Sequence, residues 1–186
     1  MLISDKKNLE RDSFRKLRDA STLTDRKNVE SNVQKYLDSF LKKRQTLNYI
    51  GIYWPLKNEV DIRSLNERFS LALPRCKKNR SLSFYPWDDK PLIKDSQGIP
   101  SPNNSNLLSY QEVSMIFIPC LSVDRNLIRL GYGGGYFDKL REDKNWRMIP
   151  CIGLLTSNCV SITSLTRANW DVPLSGYITE KEILVC

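Results

Sequence analysis

After residue 44 the chain consists of short apolar runs that are separated by glycine, proline and polar residues. Residues 115–118 and 148–155 are almost entirely apolar and have the length of strands that are buried on both faces. The other predicted elements are strands at 49–54, 71–73, 81–85 and 177–179, and a short helix at 62–69. Strands that alternate with helices favour a central, mostly parallel sheet covered on both faces. The pattern therefore predicts an α/β fold.

Residues 1–44 contain no glycine or proline, and they carry twelve Lys/Arg against seven Asp/Glu. Apolar residues recur there at helical spacing in two stretches, which predicts two basic helices. They are Leu9, Phe14 and Leu17 in the first stretch, and Val29, Val33, Tyr36, Leu37, Phe40 and Leu41 in the second. Ser21 or Thr24 is predicted to cap the second helix.

A length of 186 residues suits one domain with a real core. We expect a single domain over 1–186, with the basic helices at 1–44 and an α/β core at 45–186. The turn-rich residues 95–106 are predicted to form a surface loop. The longest apolar stretch, 113–121, is interrupted by polar and proline residues and is far shorter than the ~20 residues that cross a bilayer. We therefore expect no membrane association and a cytoplasmic location.

The chain has no histidine. This excludes Ser-His-Asp and Cys-His catalysis, histidine-ligated metals and an imidazole base. The five cysteines are scattered and form no Cys-x-x-Cys pair, so reduced, mostly buried thiols are expected rather than disulfides or a zinc site. The net charge of +8 favours an anionic partner, and both nucleic acid and phosphorylated small molecules satisfy it.

Four of the eight glycines lie at positions 131, 133, 134 and 135, just before a helix-like stretch at 136–142. Such a segment lets backbone N–H groups approach an anion, but it matches neither Gly-x-Gly-x-x-Gly nor a P-loop. A turn that needs several positive φ values explains the glycines as well. Arg129 adds a planar cation suited to phosphate oxygens. Asp138 is either a Mg²⁺ ligand or a carboxylate that stabilises the first turn of the helix.

Two further carboxylates are not distinguished by their own sequence context. Asp171 has the position of an aspartate that organises the turn before Pro173. Glu59 has the position of a surface carboxylate at the end of a strand. The basic cluster at 75–80 could contact phosphate or nucleic acid, although it lacks the interleaved aromatic residues of a base-stacking surface.

Three separated segments, taken in order, resemble the 5-formyltetrahydrofolate cyclo-ligase family, also called methenyltetrahydrofolate synthetases. They are Tyr53-Trp-Pro-Leu-Lys-Asn-Glu59-Val-Asp, Ile118-Pro followed by Arg129-Leu-Gly-Tyr-Gly-Gly-Gly-Tyr-Phe-Asp138-Lys, and Trp170-Asp171-Val-Pro with Ile178-Thr-Glu180. The resemblance spans nearly the whole chain. It implies a three-layer α/β/α domain similar to the ribose-phosphate isomerase and CoA-transferase group. It also implies conversion of 5-formyltetrahydrofolate and ATP to 5,10-methenyltetrahydrofolate, ADP and phosphate. Separately, we expect a monomer that binds no nucleic acid.

The resemblance also implies the roles of individual residues. Arg129 and Tyr136 would act at the reacting atoms, and Asp138 and Asp171 would place Mg²⁺. The folate would contact Trp54, Glu59, Tyr132, Gly133, Gly134, Gly135 and Tyr136. ATP would contact Lys7, Arg11, Arg15, Arg129, Leu130, Gly131, Tyr132, Gly133, Gly134, Gly135, Tyr136 and Phe137.

The chain departs from the family pattern at two places. The family's N-terminal motif Lys-x-x-Leu-Arg is matched imperfectly by both Lys7–Arg11 and Arg11–Arg15, so Arg11 is common to both alignments. Ser101 stands where the family usually has an acidic residue.

Two other functions remain open from the sequence. A non-catalytic relative would bind 5-formyltetrahydrofolate without consuming ATP. A basic module would bind nucleic acid with an affinity that falls steeply with salt. Within the enzyme hypothesis, clustered Lys and Arg residues are suited to the several carboxylates of a polyglutamylated folate.

Overall fold

The computed structural model describes residues 2–43, 46–88 and 90–186. Met1, Arg44, Gln45 and Asp89 lie outside the described residues, so the predicted boundary at 44–45 does too. No helix in the described part of the chain has the combined length and apolar character of a membrane span.

Two long helices open the chain, α1 (Ile3–Ala20) and α2 (Leu23–Lys43). Thr22 caps α2, because its hydroxyl accepts from the N–H of Asp25 at 3.0 Å while Asp25 accepts from the N–H of Thr22 at 2.9 Å. The predicted caps Ser21 and Thr24 are therefore wrong, since Ser21 instead ends α1.

The remaining elements are short. The strands are β1 (Tyr49–Gly51), β2 (Leu71–Cys76), β3 (Leu82–Pro86), β4 (Ile93–Lys94), β5 (Pro100–Ser101), β6 (Val113–Pro119), β7 (Ser122–Val123), β8 (Arg129–Leu130), β9 (Cys151–Leu154), β10 (Gly176–Ile178) and β11 (Ile183–Val185). The helices are α3 (Tyr136–Leu140) and α4 (Lys144–Met148), with 3-10 turns at Arg63–Glu67, Tyr110–Glu112 and Ser157–Cys159.

Seven strands of the described chain form one sheet in the order β11-β10-β9-β6-β1-β2-β3. The five inner strands are parallel to one another, and β3 and β11 pair antiparallel at the two edges. Successive residues of β6 point to opposite faces, so Met115 and Phe117 join one core cluster while Ile116 and Ile118 join the other. The predicted mostly parallel sheet is confirmed.

Helix α2 covers the first face of the sheet through Val29, Val33 and Leu37, which are fully buried. The second face is covered by the short helices, where Leu140 of α3 and Trp146 of α4 pack on the core cluster. These three layers agree with the predicted α/β/α arrangement.

The two helices of the basic region differ in how they pack. None of the residues of α1 is buried, and its predicted apolar residues Leu9 and Leu17 are largely exposed. Phe14 alone of that stripe packs, half-buried, against the small cluster around Leu121. The apolar stripe of α1 is thus not a core stripe, whereas the stripe of α2 is.

Several predicted boundaries were wrong. The strand at 49–54 ends at Gly51, and the strand at 71–73 continues to Cys76, through Pro74, before its hairpin turn. Residues 148–155 divide between α4 and β9 on either side of Pro150, and the helix at 136–142 ends at Leu140. The predicted surface loop 95–106 contains β5, in which Ser101 is fully buried.

Candidate functional site

A cleft of about 1310 Å³ opens at the carboxyl ends of the parallel strands β1 and β6, where ligands of open α/β sheets commonly bind. It exceeds the ~300–1,000 Å³ of a typical small-molecule site, so it has room for two ligands. Its walls come from the start of α1, the loop after β1, the β2–β3 hairpin and residues 129–139, together with Trp170 and Asp171.

The glycine segment, residues 131–135, forms one wall of this cleft. Gly133 has φ of +98° and Gly135 has φ of +71°, so both need the conformations that glycine tolerates best. Gly135 directly precedes α3, which is only five residues long. The predicted turn with positive φ values is therefore present, and the same turn exposes its backbone to the cleft.

Arg129 lies beneath this segment, and its side chain is only 9% exposed. Its Nη2 donates to Asp138 Oδ1 at 2.8 Å and its Nη1 donates to the Pro119 carbonyl at 3.3 Å. Burial opposes the charge of the guanidinium, but the Asp138 carboxylate outweighs it and raises the pKa of Arg129. Burial likewise acts to raise the pKa of Asp138, and Arg129 outweighs it and lowers that pKa. The two residues are a fixed ion pair, so Asp138 adds no uncompensated negative charge to the cleft.

Asp171 is paired as well. It forms an ion pair with Lys7, and its Oδ2 accepts from the N–H of Ala168 at 2.6 Å. The turn that it organises runs from Ala168 to Asp171, with the Asp171 N–H donating to the Ala168 carbonyl at 3.0 Å, and it lies before Pro173 as predicted. The pairing places a cation of α1 directly on the predicted metal ligand.

Only some of the basic residues of α1 line the cleft. Lys7 and Arg11 line it, and Arg11 Nε donates to the Gly131 carbonyl at 3.0 Å. Arg15 instead pairs with Asp12 at 2.9 Å, and neither of these side chains lines the cleft. The geometry favours the alignment that uses Lys7 and Arg11 over the one that uses Arg15.

Glu59 is buried at the inner end of the cleft and is not the surface carboxylate that its local context predicts. Its Oε2 accepts from the N–H of Leu56 at 2.7 Å, while its Oε1 has no hydrogen-bond partner among the described residues. Burial raises the pKa of Glu59, and the Leu56 N–H, Tyr132 and Arg18 offset part of that rise. A buried carboxylate with an unused oxygen is suited to accept hydrogen bonds from a ligand.

Aromatic rings surround Glu59. The hydroxyl of Tyr53 donates to the Val60 carbonyl at 2.7 Å, which fixes the loop that carries Glu59. The ring of Trp54 lies 4.3 Å from the Arg63 guanidinium carbon and 6.1 Å from the ring of Trp87. This end of the cleft can therefore hold a flat, hydrogen-bonding ring system.

The other predicted site residues lie in or beside the glycine segment. Leu130 points into a small apolar cluster and is 2% exposed, so only its backbone is available to a ligand. Tyr136 packs over Gly134, and Phe137 lies half-buried with its ring 5.9 Å from Arg129. Tyr132 is half-buried and lines the cleft next to Glu59.

Sequence reasoning missed two residues of this region. Tyr53 sits at the floor of the cleft, and the guanidinium carbon of Arg18 lies 5.5 Å from the ring centre of Tyr132. The sequence could have revealed Arg18, because the spacing of four residues from Lys7 to Arg11 and of seven from Arg11 to Arg18 places all three on one helix face.

A predicted Mg²⁺ site can be tested against the donors that are present. Among the described residues, no three Asp, Glu or Cys side chains come together as a metal-binding group. Asp138 and Asp171 both line the cleft, and Mg²⁺ bound with phosphates needs only one or two carboxylates. The donor set therefore fits Mg²⁺ that arrives with a nucleotide, and does not fit an all-protein metal cage.

The sequence model of the 5-formyltetrahydrofolate cyclo-ligase family matches residues 3–180. A 5-formyltetrahydrofolate cyclo-ligase from Haemophilus influenzae is 29% identical over 175 residues, covering 88% of this chain and 92% of the relative. One from Mycoplasma pneumoniae is 25% identical over 175 residues, covering 94% and 99% of the two chains.

Solved structures agree with these relatives. The NMR structure of Aquifex aeolicus 5,10-methenyltetrahydrofolate synthetase has a TM-score of 0.75 at 26% identity, covering 100% of this chain and 93% of that chain. A 5,10-methenyltetrahydrofolate synthetase from Mycoplasma pneumoniae has a TM-score of 0.70 at 22% identity, covering 94% and 98%, and supports the same fold. The resemblance found in the sequence is thus confirmed, and the chain belongs to the 5-formyltetrahydrofolate cyclo-ligase family.

Proposed function

We propose that this chain converts 5-formyltetrahydrofolate and ATP to 5,10-methenyltetrahydrofolate, ADP and phosphate. One observation supports the proposal above all. Glu59, a buried carboxylate with one oxygen that lacks a hydrogen-bond partner in the described chain, lines the same cleft as the glycine segment, and Tyr132 lies between them. The first end suits a folate ring and the second suits phosphates. Family membership supplies the reaction that joins these two ligands.

The folate would enter at the aromatic end. Glu59 Oε1 would accept hydrogen bonds from the amino and ring N–H groups of the pterin, and Trp54 would pack against its face. Because Glu59 is buried, this charge-assisted bond would be stronger than the same bond made in water. The formyl group at N5 would then point toward Gly133–Gly135 and Tyr136.

ATP would lie along the opposite part of the cleft. Backbone N–H groups of residues 130–137 and the cations of Lys7 and Arg11 would hold its phosphates. Arg129 supports the segment from below, where its charge is already shared with Asp138. Arg15, which lies outside the cleft, would not take part.

The chemistry would need no covalent enzyme intermediate. The formyl oxygen attacks the γ-phosphorus and ADP leaves, after which N10 attacks the activated carbon and the oxygen departs with phosphate while N10 loses its proton. Phosphoryl transfer of this type depends on positioning and on charge neutralisation. Arg129 and Tyr136, at the base and the end of the glycine segment, are the residues we assign to the reacting atoms.

Asp138 and Asp171 are the residues that would hold Mg²⁺. The ion would supply positive charge to the phosphates when it binds with ATP. Each carboxylate already forms an ion pair with a cation, Arg129 or Lys7, so the protein holds both in place before the nucleotide arrives.

The proposal is tested by following the absorbance of the methenyl product with 5-formyltetrahydrofolate, in the presence and absence of ATP and of a chelator. We expect product only with ATP and with Mg²⁺. Tight folate binding without ATP consumption would instead identify a non-catalytic relative, and salt-sensitive binding of mixed oligonucleotides without turnover would identify a nucleic-acid-binding module.

Asp138→Asn tests the metal assignment in the same assay. It should lower turnover at least tenfold and raise the Mg²⁺ concentration needed for the half-maximal rate, because a ligand charge is lost. Asp12→Asn removes an equally negative but exposed side chain outside the cleft and is the matched control. An unchanged Mg²⁺ dependence in Asp138→Asn would remove Asp138 from the metal site.

We further propose that the enzyme acts as a cytoplasmic monomer that binds no nucleic acid, and that its folate substrate carries a polyglutamate tail. Arg80 and Lys139 line the cleft, and Lys77 and Lys78 lie exposed beside them in the β2–β3 turn. This basic rim is suited to the carboxylates of the tail.

A further inference from the structure

Arg18, near the end of α1, reaches the folate end of the cleft without lining the cleft itself. Its side chain is 17% exposed, and its guanidinium carbon lies 5.5 Å from the ring centre of Tyr132. Arginine stacks on aromatic rings through its planar, weakly hydrated group, so this contact favours one position of the ring.

A second contact ties the same part of α1 to the loop that carries Glu59. Asp19 accepts from Arg18 Nη2 at 2.8 Å and from Asn58 Nδ2 at 2.9 Å. Asn58 immediately precedes Glu59 and has φ of +65°, an uncommon conformation for a residue other than glycine. The end of α1 therefore holds both neighbours of the folate position, Tyr132 on one side and the Asn58–Glu59 turn on the other.

Between these groups lies a separate cavity of about 10 Å³, which is close to the minimum for one water molecule. Arg18, Asn58, Glu59 and Tyr132 all line it. Two buried oxygens here, Glu59 Oε1 and the Tyr132 hydroxyl, belong to neighbouring side chains, but neither has a partner with full hydrogen-bond geometry within the described chain. Buried polar atoms of this kind are costly unless a ligand, a water molecule or a nearby charge compensates them.

We propose that Arg18 is a positioning residue for the folate: it holds the ring of Tyr132 in place and supplies one of the positive charges beside the buried carboxylate of Glu59. The inference rests on the proposed function, because it assumes that Glu59 accepts hydrogen bonds from the pterin. Arg18 would thereby make folate binding depend on the docking of α1, the same helix whose Lys7 and Arg11 face the phosphates.

The ionisable groups that face Glu59 come from several elements. They are Arg18 from α1, Arg26 from α2 across the small cavity, Tyr53 from its own loop, Cys120 after β6, and Tyr132 from the glycine segment. Burial raises the pKa of Tyr53, Cys120 and Tyr132, so these groups are neutral at physiological pH. Arg18 acts to lower the pKa of Glu59, and its removal should raise that pKa further.

The test measures kcat and KM for 5-formyltetrahydrofolate in Arg18→Met at about pH 6 and about pH 8. We expect KM to rise roughly fivefold near pH 6, the change that about 1 kcal/mol of lost arginine–ring contact produces, with a smaller rise near pH 8 and little change in kcat. The rise is larger at low pH because Glu59 is protonated over a wider range without Arg18. Lys16→Met removes an exposed charge from the same helix and should match the wild type.

Every result of these measurements either supports or overturns the role of Arg18. A KM equal to that of Lys16→Met, or a loss confined to kcat, would overturn the inference. If Arg18→Met does not fold, Arg18→Lys is decisive, because it keeps the charge but not the planar contact and should show an intermediate KM. If the wild type binds folate but does not turn over, the proposed function fails, and the same pH comparison on the dissociation constant of 5-formyltetrahydrofolate still tests Arg18.

Discussion

Glu59 lies at a ligand-binding position, and its burial lowers the stability of the fold. Its carboxylate is buried, one oxygen lacks a partner among the described residues, and burial raises its pKa. Because the folded state binds this proton more tightly than the unfolded state does, the free energy of unfolding decreases as the pH rises through the raised pKa. Above that pH the group is ionised in both states, and the whole free-energy cost of burying its charge is subtracted from the free energy of unfolding.

Glu59→Gln should therefore be more stable than the wild type at neutral pH while it binds folate more weakly. We expect a gain of about 1 kcal/mol, hence roughly 2–4 °C in Tm, that shrinks as the pH is lowered toward 4.5. Thermal melts at several pH values measure it, with the exposed Glu67→Gln as the control. A Tm below that of the wild type at pH 7.5 would contradict this account.

At the residue scale the sequence predicted which residues line the cleft better than it predicted their partners. Glycine spacing and the two flanking charges indicated an anion site, and Arg129, Asp138 and Glu59 do line one cleft. The pairs Arg129–Asp138 and Lys7–Asp171 were not predicted, because each joins segments whose approach depends on the folded sheet. The burial of Glu59 was missed for the same reason.

Helix α1 is held by polar contacts rather than by a buried face. Glu10 accepts from the N–H of Thr166 at 2.9 Å and from its hydroxyl at 2.7 Å, and the Leu17 carbonyl accepts from Asn158 at 2.7 Å. Helix α2, by contrast, buries Val29, Val33 and Leu37. Elements with few buried apolar contacts open at a lower free energy than the core does.

Hydrogen exchange should consequently be faster in α1 than in α2, and ATP with Mg²⁺ should slow it in α1 selectively. The nucleotide would add phosphate contacts to Lys7 and Arg11 and would favour the docked helix. Mass spectrometry of peptides from the two helices measures both effects in one sample, so α2 is the internal control. Equal protection of α1 and α2 without nucleotide would contradict the proposed difference.

The same contrast explains which elements the sequence predicts. Residues 115–118 were identified because a strand buried on both faces is a continuous apolar run, and the stripe of α2 was identified because burial of one face gives its apolar residues a helical period. β11 was missed because its three residues pair only at the sheet edge and are partly exposed. The start of β9 was misplaced because apolar residues at 148–150 continue past the end of α4 without a change in composition.

At the scale of the whole molecule, the charge of +8 is not spread evenly with respect to the cleft. Lys7 and Arg11 of α1 line one part of it, and Arg80 of the β2–β3 hairpin and Lys139 of α3 line another. Cationic groups around a concave site raise the local concentration of an anionic substrate, and salt screens this effect. The substrate with the longest anionic tail should benefit most.

We expect a lower KM for 5-formyltetrahydrofolate with a five-glutamate tail than for the monoglutamate, by roughly tenfold in low salt and less in about 300 mM salt. Arg80→Gln should reduce the difference, whereas Lys27→Gln, an equal charge change on the exposed face of α2, should not. Steady-state kinetics with both substrates at two salt concentrations measure this. Equal KM values in low salt would count against a tail-binding rim.

The strand order has a consequence for how the molecule is made on the ribosome. The chain starts the sheet near its middle with β1, adds β2 and β3 on one side, and then adds β6, β9, β10 and β11 in turn on the other. Within the described chain, every new strand joins an open edge, and none must be inserted between strands that are already paired. The sheet can therefore grow outward as it is synthesised, while α1, which docks on residues 131, 166 and 171, must wait until nearly all of the polypeptide has emerged.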